Sequence, residues 1–342
     1  VSDNIIVAFA TNFNGANGIY AKLTNILGGY EDGGGPSGDG GVDKNRNIYI
    51  LLHDIQDGYN GGGFVAGYYY SGNDFPTNMS PSSSEKQMFV IDTYPTLSLP
   101  NGTNIAISTL IHEAQHMINF GQKYFIGNVQ EETWLNEACS MAVEDILDEF
   151  VSDPTARVYA DGERISYFIS KPERGLFRWD EDDEVMYDYG KSYAYLAFLM
   201  RNTSPKILKE IVSGAGRNKT GSDAVAAALS TLGVNKTFKE TVKLWRKASI
   251  YNSFALSSSW SGYKTNTNVS GYELRALDLA SYQNDKGTTG PVFYYFRSSS
   301  SVFSLDPYSS FIFKGRPTSS NTVTVYVSDD SAIEVEVILT NL

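Results

Sequence analysis

Short apolar runs alternate with glycine-rich breaks along the first hundred residues, a pattern typical of β-structure. The clearest strand candidate is Asn47–His53, which is bounded by Gly and Asp residues. Two more candidates, Phe64–Tyr70 and Gln87–Asp92, are rich in aromatic and β-branched residues and are separated by a Pro/Ser/Asn loop. The pattern therefore predicts a β-rich N-terminal part.

The hydrophobic period changes at Ile105. Apolar residues at 107, 110, 111, 114, 117 and 118 follow helical spacing and predict a helix that ends before Gly121. A second helix is predicted over Thr133–Phe150. Further helical stretches are Lys191–Arg201, Asp223–Leu232 and Phe238–Tyr251. The part of the chain from 121 to 255 is therefore expected to be helical.

After Tyr251 the chain becomes rich in Ser, Thr and Tyr with period-two alternation. Ser310–Lys314, Thr322–Val327 and Ile333–Ile338 fit half-buried strands of an antiparallel sheet. A length of 342 residues allows one large and one small domain. We expect residues 1–255 to form the large domain, with a β-rich part over 1–120, and residues 256–342 to form a C-terminal β domain.

Charge and composition exclude several classes. The chain has 27 Lys and Arg against 39 Asp and Glu, a net charge of −12, so nucleic acid and anionic membranes are not expected partners. It has no apolar run long enough for a transmembrane segment, and Val1–Ile5 carries no sign of a signal sequence. A single cysteine and abundant Gly, Tyr, Ser, Asn and Thr are typical of bacterial exported proteins, so we expect a secreted or cell-surface location.

Two of the three histidines, His112 and His116, are four residues apart, and Glu113 follows the first, an HExxH motif. On a helix, positions i and i+4 differ by about 40° in direction, so both imidazoles leave one face and Glu113 stands about 100° around. Two nitrogens can then bind zinc beside a carboxylate. The helix is apolar almost all round, so polar residues inside it need a reason, and a metal site supplies one.

Hydrolytic zinc sites use three protein ligands and leave the fourth position to water. No histidine follows His116, and Asn119 replaces the glycine that metzincins carry three residues after the second histidine, which excludes that class. An acidic residue on the next helix is the other solution. Glu137, within Trp-Leu-Asn-Glu-Ala, is the candidate, and Glu131 and Glu132 are the alternatives.

HExxH followed by Trp-Leu-Asn-Glu on the next helix resembles the gluzincin metallopeptidases, which include thermolysin-like enzymes and the leukotriene-hydrolase/aminopeptidase group. The chain looks most similar to the bacterial hyicolysin-type (M30) neutral metalloproteases, strongly over roughly residues 105–150 and weakly through about 200. The resemblance implies an α+β fold. A thermolysin-like metallopeptidase domain, β-rich and then helical, would be followed by a small antiparallel β-sandwich-like domain.

Carried over residue by residue, the resemblance implies that His112, His116 and Glu137 bind Zn²⁺ and that Glu113 is the general base. We therefore expect a zinc-dependent endopeptidase that hydrolyses internal peptide bonds of proteins or peptides with a zinc-activated water. Internal cleavage is favoured because no Gly-x-Met-Glu-Asn segment, which captures a free amine in the aminopeptidases, precedes His112.

Glu144 lies seven residues after Glu137, two turns along the same helix face, and can reach back to orient a ligating imidazole. In the thermolysin pattern an aspartate stands four residues after the glutamate ligand, where this chain has Met141. A solvated helix residue is the alternative interpretation of Glu144.

The segment 186–193 resembles the Tyr-x-x-Gly that opens a helix in the aminopeptidase group and carries its transition-state tyrosine. Tyr187 takes that position and is the predicted oxyanion donor. Tyr189 competes with it, because both flank the turn before a helix expected to begin near Gly190. Tyr193 is the next alternative.

A glycine-rich loop partly matches a calcium-binding loop and is a candidate for a second metal site. Ile48 stands where the turn glycine of a calcium loop belongs, so a plain acidic loop competes with Ca²⁺ there. The partial match consists of Asp39, Asp43, Asn45, Asn47 and Asp54.

The rival function is an extracellular binding or adhesion protein with a structural or vestigial zinc site. Structural zinc sites are closed and usually cysteine-rich, which tells against that alternative.

Overall fold

The computed structural model describes residues 1–30, 41–180, 184–250, 260–263, 267–269, 271–295, 306–310 and 313–314. These residues form a mixed α+β fold with a small sheet and many helices, which confirms the predicted class at that level. Within the described part of the chain, every helix is too short or too polar to cross a lipid bilayer.

The chain begins with two helices, α1 (Asp3–Phe13) and α2 (Ile19–Leu27). The prediction of a β-rich N-terminal part is therefore wrong for residues 1–30. Both helices bury an apolar face, and the ring of Phe13 packs edge-on against Phe89 with 5.9 Å between centroids. This contact with a distant strand stabilises a segment whose β-branched residues alone do not favour a helix.

The sheet contains β1 (Tyr49–His53), β2 (Gly67–Tyr69) and β3 (Met88–Asp92) in the order β1-β3-β2. The three predicted strands are confirmed. Strand β3 lies in the middle, parallel to β1 and antiparallel to β2, and is the most buried of the three. Strand β2 therefore forms one edge of the sheet, next to the following helix.

Helix α3 (Gly102–Phe120) contains the HExxH motif. The α-helix ends before Gly121, as the sequence predicted, but the chain continues directly as a π-helix over Gly121–Ile126, which was not predicted. The buried ammonium of Lys123 explains the extension, because it donates hydrogen bonds of 2.9 Å to the carbonyls of Gly216 and Lys219 and pairs with Glu131. These tertiary contacts of Lys123 keep the chain helical beyond Gly121.

Helix α4 (Thr133–Ile146) follows, and the predicted end at Phe150 is instead a short 3₁₀ turn, Asp148–Phe150. The predicted helices after residue 187 are confirmed, with one shifted start: the first of them begins at Val185, not near Gly190. Two short helices, Arg164–Ser170 and Ile207–Val212, were not predicted. The remaining helices are α5 (Arg164–Ser170), α6 (Val185–Asn202), α7 (Ile207–Val212), α8 (Gly221–Thr231) and α9 (Phe238–Ile250).

Beyond residue 260 the described chain packs against the helices. The hydroxyl of Tyr263 donates a hydrogen bond of 2.6 Å to the carbonyl of Ala194. The backbone amide of Val292 donates one of 2.9 Å to the carbonyl of Ile169. Strands β4 (Thr267–Val269) and β5 (Tyr272–Leu274) pair antiparallel, as expected for this part of the chain.

Farther along, β6 (Tyr294–Tyr295) and β7 (Phe313–Lys314) pair in parallel, so the part of Ser310–Lys314 that is described does not have the predicted antiparallel partner. The predicted strands at 322–327 and 333–338 lie outside the described residues. The domain boundary at 255 and the β-sandwich-like domain stay predictions.

Candidate metal centre

Helices α3 and α4 pack together and bring His112, His116 and Glu137 to one place. One ligand atom from each of the three lies within 4.8 Å of the other two. An amide pair fixes the two helices relative to each other, since Asn119 Nδ2 donates to Asn136 Oδ1 at 2.6 Å. The helical spacing that places two imidazoles on one face therefore meets a carboxylate from the next helix.

The Nε2 atoms of both histidines face the Glu137 carboxylate. His112 Nε2 lies 3.1 Å from Oε2, and His116 Nε2 lies 3.5 Å from Oε1. Tetrahedral zinc with bonds of 2.0 to 2.1 Å requires about 3.4 Å between ligand atoms. The separations and the donor set of two imidazoles and one carboxylate therefore fit a zinc ion.

The other edge of the His112 imidazole also has a partner. His112 Nδ1 lies 2.8 Å from Glu144 Oε1, and Glu144 Oε2 accepts a bond of 2.6 Å from Ser108 Oγ. Ser140 Oγ lies 3.2 Å from His116 Nδ1 and 3.4 Å from its Nε2, so it contacts this ring without selecting one nitrogen. The predicted contact between Glu144 and an imidazole of the candidate ligand set is thus present. A proton on Nδ1 that is held by such a partner leaves Nε2 free for a metal.

The carboxylates of Glu137 and Glu144 favour a cation at the candidate metal centre. Burial lowers the pKa of His112, but hydrogen bonds to Glu137 and Glu144 outweigh it, so its pKa lies well above 6.5. Burial raises the pKa of Glu137, yet the charges and hydrogen bonds of the two histidines hold it well below 4.5. A proton and a metal ion would therefore compete for the same imidazole nitrogens.

Glu113 is buried next to the three candidate ligands but outside their set. Its Oε2 accepts a hydrogen bond of 2.8 Å from the backbone amide of Tyr69, in edge strand β2. Burial raises the pKa of Glu113 above its ordinary value, although the two histidines lower it. A carboxylate with a raised pKa beside a cation site has the property that a general base needs.

The structure separates the tyrosine candidates. The Tyr187 hydroxyl donates to Asp285 Oδ2 at 3.0 Å, and burial together with this bond raises its pKa to about 12. Burial also raises the pKa of Tyr189, and the charges of Glu137, Glu113 and Glu144 raise it further. Carboxylates of the candidate metal centre thus contribute to the raised pKa of Tyr189 and not to that of Tyr187.

Tyr193 and the alternative glutamates are engaged elsewhere. The fully buried Tyr193 hydroxyl donates to Asp145 at 2.9 Å. Glu131 pairs with Lys123, and Glu132 accepts from the Trp134 indole at 2.7 Å. None of the three belongs to the cluster that could hold a metal.

The predicted calcium loop finds no support. Asp43 pairs with Lys86 at 3.0 Å and accepts from Asn45. Residues 49–53 form strand β1, about 17 Å of extended chain, which keeps Asp54 away from Asp43. Asp39 lies outside the described residues.

Sequence reasoning missed three partners of the centre. Ser140 stands three residues after Glu137, so helical period could have placed it on the same face, and Ser108 stands four before His112 in the same way. Tyr69 acts through its backbone amide and comes from a strand 44 residues before Glu113, so no local signal could indicate it.

Comparison with known proteins agrees with this geometry. The sequence matches the family Peptidase M30 over residues 1–292. The chain belongs to the peptidase M30 family. Membership confirms the resemblance drawn from the motifs and the predicted enzyme class, a metallopeptidase.

Among curated proteins, this M30 family member is similar to the neutral metalloprotease ShpI of Staphylococcus hyicus. The two are 31% identical over 178 residues, which cover 50% of this chain and 39% of the relative. The chain thus spans about two fifths of the length of that relative.

Proposed function

We propose that this M30 family member is a zinc-dependent endopeptidase. The observation that carries the proposal is the convergence of His112 Nε2 and His116 Nε2 on the Glu137 carboxylate, at 3.1 and 3.5 Å. Three protein ligands of this kind leave one position open, which is the arrangement of catalytic rather than structural zinc.

His112, His116 and Glu137 would hold the metal, and Glu144 would orient the His112 imidazole. When bound, zinc supplies Lewis acidity, which lowers the pKa of water toward 7 and polarises a carbonyl. The contact of His112 Nδ1 with Glu144 supports this assignment, because a partner of this type fixes the tautomer and the ring direction of a metal-binding histidine.

Glu113 is the proposed general base. The Tyr69 amide holds its Oε2, so the carboxylate keeps a fixed direction and Oε1 can accept a proton from the attacking water. The water oxygen then bonds to the peptide carbon. The same carboxyl group passes the proton to the amine nitrogen as the carbon–nitrogen bond breaks.

Tyr189 is the proposed donor to the oxyanion that develops on the scissile carbonyl. Its electrostatic coupling to Glu137 and Glu113 supports this role, whereas the Tyr187 hydroxyl is occupied by Asp285. The guanidinium of Arg164 lies 5.2 Å from the centroid of the Tyr189 ring. Tyr187 thus becomes the second candidate.

Protein or peptide substrates and a secreted or cell-surface location belong to the same proposal. The family supports peptide substrates, and the composition supports export. A structural or vestigial zinc site in a binding protein remains the rival, but such a site has no use for the buried Glu113 beside it.

Digestion of a diverse peptide pool by the zinc-loaded protein tests the function, with the new termini identified by mass spectrometry. We expect internal cuts throughout the pool. Removal of single residues from the ends would establish an exopeptidase instead, and an unchanged pool would favour the binding protein. Glu113→Gln protein, loaded with zinc in the same way, is the matched control for a contaminating protease.

A further inference from the structure

Five aromatic rings pack together at the C-terminal end of α3, one helical turn beyond His116. The rings of Phe120 and Tyr124 are stacked, with 4.8 Å between centroids and 11° between planes. Phe75 lies 6.2 Å from Phe120 and 5.7 Å from Phe125. We call this group the aromatic cluster; its members are Tyr69, Phe75, Phe120, Tyr124 and Phe125.

The aromatic cluster is continuous with the candidate metal centre. Phe120 follows His116 by four residues, so it shares the histidine face about 6 Å farther along the helix, and helical side chains lean back toward the N-terminus. Tyr69 connects the two from the sheet: its ring lies 6.2 Å from that of Phe120, and its amide binds Glu113. A chain bound across the centre would therefore run beside these rings.

The π-helix creates the cluster. In an α-helix, position i+5 points about 140° away from position i, so Tyr124 and Phe125 could not both contact Phe120. The wider turn, marked by the bond of 3.0 Å from the Gly127 amide to the Gln122 carbonyl, brings both rings to it, with 5.4 Å between Phe120 and Phe125. The π-helix after Gly121 therefore produces an aromatic surface beside the candidate metal centre.

This surface is open to solvent. Tyr124 keeps 42% of its surface exposed and the neighbouring Ile126 keeps 37%, while the other four rings are half-buried. Exposed apolar area costs about 25 cal/mol per Å² relative to burial, and contiguous apolar patches mark binding surfaces. The cluster therefore has the properties of a surface that a ligand covers.

We propose that the aromatic cluster binds an aromatic or large aliphatic side chain of the peptide substrate, close to the scissile bond. The inference rests on the proposed endopeptidase function and names its substrate class. Continuity with Glu113 and His116 favours a substrate side chain over a second protein chain. A net charge of −12 disfavours an anionic membrane as the occupant.

The test compares cleavage of a peptide series that differs only in the residues around one cut bond. We expect one position at which Phe, Tyr or Leu is preferred to Ala by wild-type protein. Phe120→Ala should reduce that preference, measured as a ratio of kcat/KM values, by about 10- to 200-fold, and Tyr124→Ala should reduce it less. Zinc content should stay near that of wild type.

The matched control is Tyr94→Ala. Tyr94 is 54% exposed and belongs to a separate group of rings, 6.1 Å from Tyr59, so its removal should leave the preference unchanged. Because Tyr124 is exposed, Tyr124→Ala keeps the test decisive if Phe120→Ala does not fold.

An unchanged preference in folded Phe120→Ala and Tyr124→Ala proteins would overturn the inference while leaving the endopeptidase in place. A change of oligomeric state or of vesicle binding in these variants, without a change of preference, would assign the cluster to those partners and overturn it too. Absence of any cleavage by wild-type protein would overturn the proposed function itself.

Discussion

Glu144 Oε1 lies 2.8 Å from His112 Nδ1, on the opposite edge of the ring from Glu137. The His112 imidazole therefore lies between two carboxylates. Glu137, at Nε2, belongs to the candidate ligand set, and Glu144, at Nδ1, lies outside it. Replacing such an outer carboxylate typically lowers metal affinity about 10- to 100-fold. We expect this loss for Glu144→Ala in a zinc competition assay against a chelator, and a smaller loss for Glu144→Gln.

Glu149→Ala is the control for Glu144. Glu149 lies in the 3₁₀ turn after the same helix, its side chain is 56% exposed, and it pairs with Lys22. Its zinc affinity should equal that of wild type. Equal affinity in Glu144→Ala would show that His112 needs no partner behind it.

Metal removal should be visible in stability as well as in composition. Elemental analysis should find about one zinc per chain, and a ligand present at 100 times its dissociation constant adds about 2.7 kcal/mol to the free energy of unfolding. A chelator should therefore lower the midpoint of thermal unfolding, and added zinc should restore it. Glu137→Ala should hold no zinc and should not respond to the chelator.

Glu132→Gln is the matched variant, because Glu132 precedes the same helix but binds the Trp134 indole. It should keep its zinc and its chelator response. Normal zinc content in Glu137→Ala would transfer the ligand role to another carboxylate.

Glu113→Gln separates the base from the ligands. The amide keeps the size of the side chain and an oxygen for the Tyr69 amide, but it cannot take a proton. Loss of a general base costs about 10²- to 10⁴-fold in turnover. Zinc content and thermal midpoint should stay normal; a joint loss of zinc and activity would make Glu113 a ligand.

Tyr189→Phe and Tyr187→Phe test the oxyanion donor. Removal of one donor costs about 10²- to 10³-fold in turnover, with little change in KM, and we expect this for Tyr189. Tyr187→Phe removes the hydrogen bond to Asp285 and should cost about 1 kcal/mol of stability with near-normal turnover. The reverse kinetic pattern would return the role to Tyr187.

A buried ion pair holds the start of α6, where Tyr189 lies. Arg174 donates to both oxygens of Asp188, at 2.8 and 2.7 Å, and both side chains are buried. Arg174→Met would leave the Asp188 carboxylate with Lys191 and the Asp180 backbone amide as partners, and we expect a loss of about 3 kcal/mol in urea unfolding. Arg178→Met, at a 43% exposed side chain, should lose less than about 1 kcal/mol.

That ion pair also explains what the sequence could and could not indicate. Spacing alone placed His112 and His116 on one face and Glu144 two turns beyond Glu137, because helical period fixes relative directions. The start of α6 depends on Arg174, fourteen residues before Asp188, and no local pattern encodes such a contact. A predicted start near Gly190 therefore left the directions of Tyr187 and Tyr189 undecided.

The same limit applies at the ends of α3 and at the N-terminus. Gly121 is a normal helix stop, yet the buried Lys123 carries the helix past it. Helices α1 and α2 depend on apolar contacts such as Phe13 with Phe89, 76 residues apart. Where local preference and tertiary contact disagreed, the tertiary contact decided the structure.

The return of the chain onto its helices after residue 260 has a consequence for how the protein can be shortened. Trp260, Tyr263 and Leu274 are buried in the common core, and Asp285 and Val292 bind residues of the helices that flank the centre. A fragment cut at 255 would lose these core side chains. The ring of Tyr308 also packs against Phe177 and Phe238, and its carbonyl accepts a hydrogen bond of 2.7 Å from Arg246. Under limited proteolysis, the smallest resistant fragment should therefore extend to about residue 310.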